Sequence, residues 1–208
     1  MRGADEMRDK LAVLLQQALP RKIPLLRTAW NLDDAILPLV TDITSGEPVD
    51  NALSSKKEPW VLVINPRLLT TDQVDIDDTG LPVYNARYSC RIMTWALGAD
   101  WDAAIAARDN LAAACRLCLL EWPNLEYGTF GNTNFRLHRN TYTEEFGVPL
   151  RTQGNSGGGR VWAGAQLSVD VDREDGLADG SLRPPYGTAN TVTPAAQAVG
   201  PAQPMPGD

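Results

Sequence analysis

The sequence predicts an α+β fold, a mainly antiparallel sheet with two helices packed on one face and a flexible C-terminal tail. Three observations lead to it. Hydrophobic periodicity changes along the chain in the order helix, strands, helix, strands. The strand-like segments lie near enough in sequence to pair as hairpins. The central helical segment is rich in alanine, which lets a helix lie close on a sheet.

Residues 4–18 place Met7, Leu11, Leu14, Leu15 and Ala18 on one side of an amphipathic helix, and Pro20 is expected to close it. The following segment is apolar but broken by Pro24 and Pro38, which suggests a short helical or irregular piece and then an extended one over Ile36 to Ile43. Ser45 to Pro59 reads as loop from its Ser, Gly, Pro and Asn content. Trp60 to Ile64 is a continuous β-prone run that Asn65-Pro66 should end, and such a run suits a strand covered on both faces.

Asp72 to Pro82 reads as an acidic turn region. Beyond it Tyr84 to Ala96 alternates, with Tyr88, Cys90, Ile92 and Ala96 on one face and Arg87, Ser89, Arg91, Met93 and Trp95 on the other. Asp100 is placed to cap a helix running to about Glu121, with Asp102 complementing its dipole and Pro123 stopping it. Trp101, Ala104, Ile105, Leu111, Ala112, Cys115, Leu119 and Trp122 gather on one side of that helix. Phe135 to Phe146 reads as a strand, Val148 to Gly159 as a glycine-rich connection, and Arg160 to Val171 as the most regular alternation in the chain.

From Arg173 the composition collapses to Gly, Pro, Ala, Asp and Ser, so ordering it would cost backbone entropy with little burial in return. The expected organisation is one domain over residues 1–172 and a flexible tail over 173–208. About 170 residues are enough to enclose a single core.

Charge narrows the function classes. The net charge is −7, and no basic run is longer than Lys56-Lys57, so a surface built to neutralise duplex phosphates is not expected. Six acids and two bases lie from residue 170 onward, leaving residues 1–169 with 17 bases and 20 acids, a nearly neutral −3 that favours association over repulsion. No stretch approaches the roughly 18 apolar residues of a membrane helix. The N-terminal MRGADEMRDK lacks a signal-peptide apolar region, and three cysteines give no disulfide framework, so a reduced protein made in the cytoplasm is the expectation.

The chemistry-bearing residues are sparse. His138 is the single histidine, and no G-x-S-x-G serine exists for it to activate. Cys115 and Cys118 have C-x-x-C spacing but lie within a helix without a second ligand pair, and fit core packing better than zinc. Asp78-Thr79-Gly80 matches the short aspartic-protease signature and keeps open a small hydrolase centred on Asp78, although an acidic turn explains it more simply. The same stretch has a partial calcium-loop register, but Ala86 stands where a bidentate Glu is required. Gly154 to Arg160 could cradle an anion, yet it lacks the Lys-Ser/Thr of a P-loop and leads into a strand. No cofactor, metal or catalytic residue is expected.

What remains is surface suited to protein contact. Arg91, Met93 and Trp95 share a strand face, and Trp162 stands opposite the aliphatic face of the last strand; aromatic residues and Arg are enriched at interface centres. The alternative is that a second layer, such as the first helix, covers them. Arg108 falls in the apolar stripe of the second helix and needs a partner, which another subunit could supply, while Leu117 and Leu120 fall on its polar side. These seven residues are the candidate interface.

Three groups of residues carry a resemblance: Trp95 to Asp102 (WALGADWD) leading into the Ala-rich helix with Arg108-Asp109 and Arg116, then Tyr142 to Gly147 (YTEEFG), then Arg160 to Ala165 (RVWAGA). Over roughly residues 4–172 the chain resembles tail terminator proteins of long-tailed bacteriophages. The resemblance implies a virion protein of the tail–neck region that forms a hexameric ring on the last ring of the tail tube. The ring stops tube polymerisation and joins the tube to the head–tail connector, and DNA passes through its lumen only as cargo. Other neck components, connectors or stoppers, share much of this element order. The chain departs from the family in its Pro- and Gly-rich tail and in residues 20–58.

Overall fold

The computed structural model describes residues 3–46, 59–76, 82–128, 134–151 and 160–176. Its elements are α1 (Gly3–Trp30), β1 (Asp42–Ser45), β2 (Trp60–Ile76), β3 (Pro82–Gly98), α2 (Trp101–Glu121), β4 (Phe135–Phe146), β5 (Leu150–Arg151) and β6 (Val161–Gly176). The strands form one sheet in the order β1-β2-β3-β6-β4, with β5 beside β6. Only β1 and β2 run parallel; every other pair is antiparallel, and the fold is α+β as the periodicities predict.

Both helices lie on one face of the sheet. Leu11, Leu15, Leu19 and Ile23 of α1 and Leu111, Cys115 and Leu119 of α2 join Val63, Ile92, Leu167 and Val169 in one core. Each fully buried Leu or Ile contributes about 1.5–3 kcal/mol. The α2 register is set locally. Asp100 Oδ1 accepts from the Ala103 N–H at 2.8 Å, and a Cβ on Gly98 would stand only 2.2 Å from the Ala104 nitrogen, so the first turn of α2 can rest there only on a glycine.

Several boundaries differ from expectation, and β2 reaches into the expected acidic turn over Asp72 to Pro82. α1 continues through Pro20 and Pro24 to Trp30. Both prolines lie on its exposed side, where water can satisfy the carbonyls that lose an N–H donor. The buried Ile23 and Leu26 extend the core stripe and outweigh the local cost. The helix ends instead at Asn31, whose φ of 54° sets up a Schellman turn in which the Leu32 N–H donates to the Arg27 carbonyl at 2.9 Å.

β2 runs past Asn65-Pro66 to Ile76, absorbing the proline in an irregular step between Ile64 and Arg67. Arg8 of α1 ties that step down by donating to Asn65 Oδ1. β6 continues past the expected boundary at 172 to Gly176 because Arg173 and Glu174 pair with Ala86 and Asn85 of β3. The extended piece expected over 36–43 is shorter, appearing as β1 at Asp42–Ser45. Most of the 45–59 loop, the Asp78 turn, residues 154–159 and the tail beyond 176 lie outside the described residues. No described helix is long and apolar enough to cross a membrane.

Candidate assembly surface

Pleating sends alternate side chains of each strand to opposite faces, and the sheet register decides which of them meet. On the face turned away from the helices, Trp60 of β2 pairs with Trp95 of β3, which pairs with Gly164 of β6. The next rows are Leu62, Met93 and Gln166, then Ile64, Arg91 and Ser168. Leu97 stands opposite Trp162. Four of the seven candidate residues, Arg91, Met93, Trp95 and Trp162, therefore share one surface.

Their environment is a second apolar cluster, separate from the main core and drawn from strands alone. Trp60, Leu62, Ile64 and Trp162 are buried in it, and Met93, Trp95 and Leu97 are packed against it half-buried. The first helix, considered above as a cover for this face, packs on the other one. The Trp95 ring lies against Gly164, where a Cβ would come within 2.9 Å of Cε3. The buried Trp60 indole N–H has no acceptor among the described residues. Arg91 is exposed at the edge of the cluster.

Beside Trp95 the face opens into a shallow groove of about 250 Å³ between the end of β4 and β6, lined by Met93, Trp95, Glu145, Val148, Gly164 and Gln166. Its outer wall begins where the Gly147 N–H donates to the Gly164 carbonyl at 2.9 Å. Phe146, Val148 and Leu150 along that wall are exposed, Val148 to 82%.

The remaining three candidates belong elsewhere. Arg108 is buried, but this chain supplies its partners. Its Nε donates to Asp109 Oδ1 and its Nη1 to the Gly147 carbonyl, both at 2.8 Å, and its guanidinium stacks 4.8 Å from the Phe146 ring centre. A carboxylate from a second subunit is not needed. The side chain instead pins the groove wall to α2. Leu117 and Leu120 are half-buried against the main core, so α2 presents no second surface through them.

Two polar clusters cannot be read from the sequence, the first because its members meet through sheet register and the second because α2 packs across β4. Asp172 accepts from Arg87 Nε at 2.8 Å and lies 2.6 Å from His138 Nε2. Burial would raise the Asp172 pKa, but hydrogen bonds from Arg87, His138 and Asn85 prevail and hold it at about 2. Glu144 accepts from the Tyr142 hydroxyl at 2.7 Å and from Arg116 Nη1 at 3.1 Å. Burial, then the Glu144 hydrogen bond, pushes the Tyr142 hydroxyl pKa well up.

The thiols are core residues. Burial raises the pKa of Cys90 and Cys115 well above the ordinary thiol value and that of Cys118 to about 12, leaving little thiolate at neutral pH. Among the described residues no three His, Cys, Asp or Glu side chains converge on a possible metal position. The chemistry this surface offers is contact, through the half-buried Met93, Trp95 and Leu97, the groove at one end and isolated charges around it. No protein-family model matches the sequence, and comparison with curated proteins finds no match.

Proposed function

We propose that the chain is a tail terminator of a long-tailed bacteriophage, a structural protein that associates into a hexameric ring, caps the tail tube and joins it to the head connector. The observation that carries this reading is the strand-built apolar face on which Met93, Trp95 and Leu97 stay half-buried around the buried Trp60 and Trp162, and which no described helix covers. A tube end exposes strand edges and apolar side chains that template the next subunit, and a ring offering a matching face on one side only would stop growth there. The WALGADWD, YTEEFG and RVWAGA segments that carry the family resemblance form, in large part, this face and the α2 start and groove wall beside it. The work requires shape and apolar area, with no nucleophile or bound group. The near-neutral charge of residues 1–169 suits close association, and a mildly acidic lumen would let DNA pass without sticking.

Electron microscopy of tails assembled with and without the protein tests the proposal. Overlong tubes in its absence are the expected result. Tubes of normal length that fail to join heads would identify a connector or stopper instead.

A further inference from the structure

The outer half of β2 departs from the rest of the sheet. β1 pairs only with Trp60 to Val63, so among the described residues β2 is an edge strand from Arg67 to Ile76, and all ten of these residues are exposed. Four of them are large and apolar: Leu68, Leu69, Val74 and Ile76. Two register irregularities, between Leu68 and Thr70 and between Gln73 and Asp75, leave Leu69 and Val74 without a partner on β3. Such bulges re-aim the extra side chain and disfavour simple edge-to-edge pairing. The result is a projecting strip with two apolar knobs.

The chain also carries a surface of the opposite shape, the groove beside Trp95 and Val148. Strip and groove cannot meet within one molecule, since the strip lies roughly 20–40 Å from Trp95 along β3. Their charges are complementary. On the strip, Arg67 and Asp72 pair with Ser89 and Asn85 on the same face, which sets them roughly 13 Å apart. At the groove, Glu145 and Arg91 flank the apolar floor at a spacing of roughly 12 Å, counted as two strands across and two residues along. Arg67 can therefore meet Glu145 while Asp72 meets Arg91.

We infer that the occupant of the groove is the outer β2 strip of a second copy of this chain, with Leu69 entering between Glu145 and Arg91, over Met93 and Gln166. The inference rests on the ring reading proposed above and supplies its subunit contact. Two different patches of one chain are joined, which is a heterologous contact, the kind that closes into a ring when the rotation allows.

The test uses sedimentation velocity on the full chain and on two variants, a strip variant at the exposed Leu69 (Leu69→Asp) and a groove variant at the half-buried Gln166 (Gln166→Asp), each checked for folding by circular dichroism. The wild type should form ring-sized oligomers, and each variant alone should associate at least tenfold more weakly. Mixed together, the two should form dimers containing one of each, because each retains the half that the other lacks. An independent pair, Arg67→Glu and Glu145→Arg, should weaken assembly singly and restore it when combined in one chain.

Variants that assemble like the wild type, a mixture that stays monomeric, or failure of the charge exchange would each overturn the contact. Should the wild type still form rings in those cases, the terminator reading stands and only this interface falls. A wild-type chain that stays monomeric at every concentration overturns the contact as well, and tail-length microscopy then decides the terminator reading separately.

Discussion

The Trp95 ring rests on Gly164 of the adjacent strand, so close that a methyl group at position 164 would stand 2.9 Å from ring carbons Cε3 and Cζ3. The glycine thus acts as the floor under the aromatic group at the middle of the face turned away from the described helices. This explains a feature of the sequence that alternation alone leaves open. β6 carries aliphatic residues on its core face but Trp162, Gly164 and Gln166 on the other, because a large group reaches over from β3 to fill that place.

Gly164→Ala should force the Trp95 ring off its seat. Overpacking of this kind costs about 1–3 kcal/mol. Chemical denaturation followed by tryptophan fluorescence should report the lower stability, with a changed native emission spectrum. A variant as stable as the wild type with the same spectrum would show that the ring is not held there.

Trp60 combines deep burial with an indole N–H that lacks an acceptor among the described residues. An unsatisfied buried donor costs about 1–3 kcal/mol, so removing it offsets much of the lost packing. Trp60→Phe should change the unfolding free energy by less than about 1 kcal/mol, whereas Trp60→Ala should lose about 3–5 kcal/mol. Urea denaturation of both variants checks the contrast, and equal losses would argue that the N–H is paired.

Much of the fold can be read in the amino-acid order, and the exceptions have physical reasons. Alternation in Tyr84 to Ala96 and in Arg160 to Val171 identifies two central strands and separates the face of Ile92 and Leu167 from the face of Met93 and Trp162. The Asp100 cap and Pro123 bracket α2 correctly, since both act through neighbouring backbone. The continuation of α1 past Pro20 cannot be read locally, because the burial of Ile23 and Leu26 depends on a sheet formed by distant residues. β2 likewise passes Pro66 because its partner β3 remains continuous. The sequence alone leaves Arg108 short of a partner, since its acceptor, the Gly147 carbonyl, is main chain 39 residues away and leaves no mark in composition.

Asp172 makes stability depend on pH. Its folded pKa of about 2 lies below the ordinary 3.8, so its contribution is fully present above about pH 4 and is lost as pH falls through 2. With allowance for solvent screening, that contribution is on the order of 1 kcal/mol. Asp172→Asn should lower stability at pH 7 by about that amount and flatten the pH dependence between 4 and 2. Thermal unfolding across this range is the measurement, and unchanged curves would exclude a folded-state role for the Arg87, Asp172 and His138 cluster.

Arg108 holds the groove wall to α2 through Gly147 and Phe146. Arg108→Met keeps much of the apolar stem but removes the hydrogen bonds, so the expected loss is about 1–3 kcal/mol. Hydrogen exchange should rise at Gly147, where the wall meets β6, more than in the centre of β6. Uniform exchange would assign Arg108 to the core alone.

The central claim is that the sheet face turned away from the described helices assembles a ring that stops tube growth. Met93 is half-buried there, so Met93→Glu places a charge on the contact face while leaving the main core intact. The decisive measurement is the length distribution of tail tubes grown with this variant, once circular dichroism has confirmed that it folds. Tubes that overrun the wild-type length are the predicted result, and tubes that stop where wild-type tubes stop would contradict the account.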